Sequence, residues 1–124
     1  MKDLIKQALE MTKKAYTPYS HFKVGAVCVT KSGKRYYGCN IENASYSLCC
    51  CAERVALFNA IADGENEIEM IVVANIKQLP LPCGSCLQVM AEFNREMKVV
   101  VAKSENEYKE FTLKELLPQS FKLD

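Results

Sequence analysis

Residues 51–75, CAERVALFNAIADGENEIEMIVVAN, carry a helix, a stop and a strand in one run. Cys51 to Ala62 reads as a strong helix, and Gly64 stands where a helix commonly ends. Glu69 to Asn75 follows as a short apolar run, the signature of a buried strand. Working outward, the same alternation recurs. Upstream, Leu4, Ile5, Ala8, Leu9, Met11, Thr12 and Ala15 recur near helical spacing, predicting a helix over 3–15 that stops before Thr17-Pro18. Phe22–Thr30, a turn at Lys31–Lys34 and Arg35–Cys39 form a β-hairpin pattern, followed by a polar, irregular loop from Asn40 to Leu48. Downstream, Leu79-Pro80-Leu81-Pro82 is a rigid approach to Cys83, and Ser85–Asn94 has helical periodicity. Strands are expected at Lys98–Lys103 and Lys109–Thr112, then a helical turn at Leu113–Leu117. Strands alternating with helices predict an α/β fold, a three-layer α/β/α sandwich around a mixed, roughly five-stranded sheet. The hairpin supplies antiparallel pairing, and the later helical crossovers favour parallel pairing. With no repeat or boundary signal, residues 1–124 read as one domain.

Composition narrows the partners. The chain of 124 residues carries 16 Lys and Arg against 15 Asp and Glu, a formal net charge of +1. Its size suffices to bury roughly two thirds of its surface around one core. A balance this even supplies no surplus of cations for duplex nucleic acid or an anionic membrane, so neither is expected as a partner. No apolar run approaches the ~18 residues of a membrane span, and Met1 to Glu10, with Lys2, Asp3, Lys6 and Glu10, does not read as a signal peptide. A cytoplasmic location is expected.

Seven cysteines stand out. An odd count in a reducing compartment suits metal or nucleophilic chemistry better than a disulfide framework, although Cys28 and Cys39 read as small packing hydrophobes. The rest concentrate in Cys49-Cys50-Cys51-Ala52-Glu53-Arg54 and Pro82-Cys83-Gly84-Ser85-Cys86, both at predicted helix starts. There the free backbone N–H groups and the helix dipole favour thiolate, the form that binds zinc. A lone Cys-x-x-Cys also fits thioredoxin-like redox chemistry, but that chemistry needs no third cysteine at another helix start. Glu53, two places after Cys51, is either a surface carboxylate at a positive helix end or a general acid/base beside a zinc-bound water. Cys51-x-Glu53 with Pro-Cys-x-x-Cys beyond it matches the zinc deaminase signature, with cysteine in place of histidine as first ligand.

At this point the sequence resembles the small homotetrameric zinc-dependent cytidine deaminases, over nearly the whole chain. The resemblance is carried in family order by Pro18-Tyr19-Ser20-His21-Phe22-Lys23-Val24-Gly25-Ala26, Gly38-Cys39-Asn40-Ile41-Glu42-Asn43-Ala44-Ser45-Tyr46, Cys51-Ala52-Glu53-Arg54, Pro82-Cys83-Gly84-Ser85-Cys86 and Leu116-Leu117-Pro118-Gln119-Ser120-Phe121. It implies that Cys51, Cys83 and Cys86 bind Zn2+, and that Glu53 shuttles protons while zinc-bound hydroxide attacks C4 of the base. It further implies Asn40 and Glu42 on the ribose hydroxyls, with Phe22, Ala52 and Phe121 also binding substrate. Arg54 would donate to the thiolates and draw charge from the metal. The implied reaction converts cytidine and deoxycytidine to uridine and deoxyuridine plus ammonia, in pyrimidine salvage, with no organic cofactor. The implied assembly is a homotetramer whose sites are shared, Phe121 reaching a neighbour's pyrimidine.

One position departs from the family pattern: Leu87 stands where an arginine usually follows the second cysteine of Pro-Cys-x-x-Cys. Cys49 and Cys50 lack the x-Glu-Arg continuation and are assigned as packing thiols, and His21, the single histidine, is assigned a local structural role. The rival readings are a deaminase of a cytosine-nucleoside antibiotic and a non-catalytic zinc-stabilised binding domain. The latter would need a fourth protein ligand, drawn from Cys49 or Cys50.

Overall fold

The computed structural model describes residues 1–123. Its elements run α1 (Lys2–Thr12), β1 (Gly25–Thr30), β2 (Arg35–Cys39), a short 3-10 turn (Tyr46–Leu48), α2 (Ala52–Ala62), β3 (Ile68–Ala74), α3 (Gly84–Phe93), β4 (Lys98–Ser104), β5 (Glu107–Thr112) and α4 (Leu113–Leu116). The five strands form one sheet in the order β2-β1-β3-β4-β5. The pair β3 and β4, joined through α3, is parallel; the other three neighbouring pairs are antiparallel. The crossover through α2 behaves differently from the one through α3. It carries the chain from β2 over β1 to the far edge of β1, so β3 runs parallel to β2 and meets β1 antiparallel.

Alternation along the strands builds three layers. Val27, Val72, Ala74, Val100 and Ala102 face α1, where Leu4, Ile5 and Ala8 close the contact. Ala26, Cys28, Ile71, Val73, Val99 and Val101 face the opposite way, against Ala56, Leu57 and Ala60 of α2 and Cys86, Met90 and Ala91 of α3. Both faces are covered, so the middles of the central strands, 26–29, 70–74 and 99–102, are apolar at every position and read in sequence as unbroken runs. The first helix is shorter than its periodicity suggests. The Thr12 hydroxyl donates to the Leu9 carbonyl at 2.6 Å, and Lys13, Lys14 and Ala15 bond three residues back, tightening the chain out of the α-helix.

Two glycines let the hairpin sit between helices. A Cβ on Gly25 would collide with the Ala8 carbonyl oxygen of α1, and one on Gly38 would lie 2.5 Å from the Ala52 carbonyl oxygen of α2. Backbone-on-backbone seating at Gly38 fixes the start of α2, the end that carries Cys51 and Glu53. Among the described residues, no helix is long and apolar enough to cross a membrane.

Candidate active site

Both ligand-bearing helices begin with an unusual cap. Cys51 is the N-cap of α2 and Cys83 the N-cap of α3, each in extended backbone and each without a side-chain capping hydrogen bond. The first-turn N–H groups therefore remain directed at whatever lies in front of the helix. What lies there is sulfur. The Sγ atoms of Cys51, Cys83 and Cys86 all lie within 4.8 Å of one another, with Cys83 and Cys86 3.5 Å apart. Among the described residues this converging group consists of three thiols. Cys86 is buried and Cys51 half-buried, while Cys83 opens to the surface.

The thiols and Arg54 polarise one another. The hydrogen bond from the Cys86 thiol, then that from Arg54, pull Cys51 down to about 5 against the opposing effect of burial. Cys86 is driven the opposite way, because it keeps the proton it donates to Cys51. Arg54 Nη2 reaches Cys51 Sγ at 3.5 Å, while its buried Nε has no protein partner. A soft, all-sulfur trio in front of two positive helix ends fits Zn2+. Glu53 is 5% exposed. Burial pushes its carboxyl up to about 7, into the range where a group both accepts and returns a proton near neutrality.

Cys51, Ala52, Glu53 and Cys83 line a cavity of about 520 Å3, with Phe22, Asn40 and Glu42 also on its walls. Phe22, Asn40, Glu42 and Ala52, expected at the substrate from three separate segments, thus line one space. Asn40 and Glu42 are both tied to the chain around Phe22. The Asn40 Oδ1 accepts from the Val24 N–H at 2.9 Å, and its Nδ2 donates to the Phe22 carbonyl at 2.7 Å. Glu42 Oε1 accepts from the Tyr19 and Ser20 N–H groups at 3.0 and 3.1 Å, and Oε2 accepts from the Ser20 hydroxyl. These bonds, the Ser20 hydroxyl foremost, hold the Glu42 carboxyl below its ordinary value. Each side chain still has an unused hydrogen or lone pair for a ligand.

Phe121 is not among the lining residues of this cavity. It is 66% exposed, and its carbonyl accepts from Gln88 Nε2 at 2.9 Å. Leu87, at the departing position, is 6% exposed and packs in the core beside Met90 and Ala91, a setting with no room for an unpaired charge. Cys49 does more than pack: its sulfur accepts from the Asn43 N–H at 3.2 Å and reaches the Asn43 carbonyl at 3.6 Å.

Sequence reasoning missed two supports. Buried Asn75, at the end of β3, donates to the Lys23 carbonyl at 2.7 Å and accepts from the Lys77 and Gln78 N–H groups, bracing the approach to Cys83. A polar amide closing an apolar strand was its signal in the sequence. Ser20, the second, lines the cavity and bonds Glu42. Nothing in the local pattern marks it.

Residues 1–103 match the family model for the cytidine and deoxycytidylate deaminase zinc-binding region. A cytidine deaminase of Halalkalibacterium halodurans is 47% identical over 120 residues, covering 95% of this chain and 91% of that protein. One from Sporosarcina psychrophila is 42% identical, covering 95% and 88%. The crystal structure of cytidine deaminase from Burkholderia pseudomallei superposes with a TM-score of 0.90 at 45% identity, covering 96% of this chain and 97% of that one. That of cytidine deaminase from Mycobacterium tuberculosis gives 0.86 at 31%, covering 98% and 96%.

Proposed function

The chain belongs to the cytidine deaminases, zinc-dependent enzymes, and from that premise we propose how its own residues divide the work on cytidine and deoxycytidine. The observation that carries the proposal is the meeting of three sulfurs beside a cavity whose walls include Cys51, Cys83 and the buried Glu53 together with Asn40 and Glu42. Cys51, Cys83 and Cys86 would hold the zinc, leaving its fourth position open. Bound zinc supplies Lewis acidity, lowering the pKa of water at that position. Arg54, donating to Cys51, offsets part of the charge of the three thiolates.

Glu53 is the proton carrier. Its carboxylate takes a proton from the attacking water and delivers it to N3 of the base, then takes the remaining proton from the oxygen newly bonded to C4 and passes it to the amine as the C4–N bond breaks, so that water and cytidine become uridine and ammonia. Asn40 and Glu42 hold the sugar hydroxyls, Phe22 flanks the base, and Ala52 contacts it from the start of α2. A free nucleoside suits this wall better than a nucleotide, since Glu42 presents negative charge to it.

The reading extends to a single domain over residues 1–124, a cytoplasmic setting and a homotetramer. Phe121, exposed on its own chain, would reach a neighbour's site, and a partner would cover exposed Tyr46, Leu48 and Leu81. The test is direct: determine zinc per chain and follow ammonia release from cytidine, deoxycytidine, adenosine and CMP. One zinc per chain with turnover confined to the two cytosine nucleosides is expected. Turnover of CMP as fast as cytidine, or none of any cytosine nucleoside by zinc-loaded protein, would overturn the proposal.

A further inference from the structure

We propose that Ser20 is a positioning residue for nucleoside binding, setting through one hydroxyl both the sugar acceptor Glu42 and the aromatic wall Phe22. The proposal rests on the reading above, in which those two residues face the substrate. Its basis is a chain of hydrogen bonds with one direction. The Phe22 N–H donates to Ser20 Oγ at 3.0 Å, and the Ser20 hydroxyl donates to Glu42 Oε2. A hydroxyl has a single proton to give. Once that proton is given to Glu42, the oxygen is left to accept from Phe22, so each bond orients the other.

The two Glu42 oxygens are used unequally. Oε1 is occupied by two backbone N–H groups, whereas Oε2 has Ser20 as its protein partner. The acceptor capacity left for a sugar hydroxyl is therefore mainly on the oxygen whose direction Ser20 sets. Phe22 is gripped at both ends of its residue: its N–H by Ser20 and its carbonyl by the Asn40 amide at 2.7 Å.

The residue between them records the constraint. His21 has φ +58°, the left-handed region in which a residue with a side chain is uncommon. Such a conformation persists where the surroundings over-determine it. Here they do, through the His21 N–H on the Thr17 carbonyl at 3.1 Å and the Glu42 and Ser20 bonds on either side. Ser20 and Glu42 also form common walls of the 520 Å3 cavity and of a neighbouring one of about 240 Å3. The hydroxyl thus stands at the rim where a sugar enters, on a segment held in one conformation.

The experiment compares zinc-loaded Ser20→Ala, Ser20→Thr, Glu42→Gln and the double variant Ser20→Ala/Glu42→Gln, measuring KM and kcat for cytidine, zinc content and melting temperature. Ser20→Ala is expected to raise KM about 10-fold with kcat within about twofold, the scale of one hydrogen bond to a charged group. Ser20→Thr, which keeps the hydroxyl, is expected within about threefold of wild type, and adding Ser20→Ala to Glu42→Gln should raise KM by less than about fivefold, because the share acting through Glu42 is already lost and only the share acting through Phe22 remains. A raised KM in Glu42→Gln beside an unchanged KM in Ser20→Ala overturns the positioning role alone. So does a full additional loss in the double variant, or a fall in zinc content or melting temperature that Ser20→Thr does not reverse. An unchanged KM in Glu42→Gln overturns the sugar-binding reading itself, and the positioning role falls with it.

Discussion

Replacing Gly38 with alanine should damage the site from behind. A Cβ at this position of β2 would stand 2.5 Å from the Ala52 carbonyl oxygen, 3.0 Å from Ala56 Cα, and closer still to the Ala56 nitrogen. All three atoms belong to the backbone of α2, so no side-chain rotation relieves the collision. Restoring ordinary contact at 3.4 Å requires strand and helix to part by roughly 1 Å. Overpacking costs about 1 to 3 kcal/mol, and unyielding backbone places this case near the upper end. For a domain of this size that lowers the melting temperature on the order of 10 °C. The functional loss should be larger than the stability loss suggests. Cys51 and Glu53 sit at the start of α2 while Cys83 and Cys86 sit at the start of α3, so the same shift separates one thiol from the other two and moves the Glu53 carboxyl. A misplacement of ~1 Å at reacting groups lowers turnover by about 10²-fold. Calorimetric melting, zinc per chain and kcat/KM on one preparation measure all three consequences. Gly84→Ala is the control, because Gly84 lies between two ligands yet a Cβ there meets nothing within 4 Å. That variant should melt within about 2 °C of wild type and stay active. If Gly38→Ala also melts within about 2 °C and keeps more than about half its activity, the seating of α2 on β2 does not set the site.

Serine at Cys51, Cys83 or Cys86 should lose zinc and stability together, since metal-binding free energy is also folding free energy, whereas serine at Cys49 or Cys50 should keep the metal; zinc content and melting temperature read both. Glu53→Gln should keep fold and zinc but lose at least ~10²-fold in kcat, measured by ammonia release, and an active variant would remove Glu53 from the mechanism. Phe121→Ala should raise KM by roughly 5-fold to 150-fold at unchanged zinc content, the scale of one aromatic stacked on a base. Mixed oligomers of Phe121→Ala and Glu53→Gln chains should recover part of the activity each parent lacks, and recovery of none in proven mixed oligomers refutes the shared site.

The layers and the metal-site motif were legible because each rests on a local rule. Val99 to Val101 announces a strand covered on both faces, and sulfur three residues apart after a proline announces a metal at a helix start. The braces were not legible. Ser20 meets Glu42 across 22 residues and Asn75 meets Lys23 across 52, and no spacing within either segment encodes the encounter. Partner choice along the sheet was hidden for the same reason. That β3 docks on β1 follows from how α2 lies over the hairpin, with Gly38 beneath it, and not from any pattern in β3 itself.

The double duty proposed for Asn40 and Glu42 accounts for why the sugar-binding role and their visible bonds look unlike. Each is tied to the segment around Phe22, yet each retains capacity on the side facing the cavity. A binding group free to rotate would have to be ordered when the sugar arrives, at a cost to affinity. One already held by the loop it holds in return meets the sugar in place. The same economy makes truncation at either position ambiguous, since alanine would release the loop and remove the contact at once. Conservative changes separate the two. Glu42→Gln keeps an acceptor oxygen for the Tyr19 and Ser20 N–H groups but removes the charge offered to a hydroxyl, so its effect should appear in KM while the melting temperature holds. Asn40→Asp removes the donor to the Phe22 carbonyl and sets two oxygens together, so it should raise KM and lower the melting temperature.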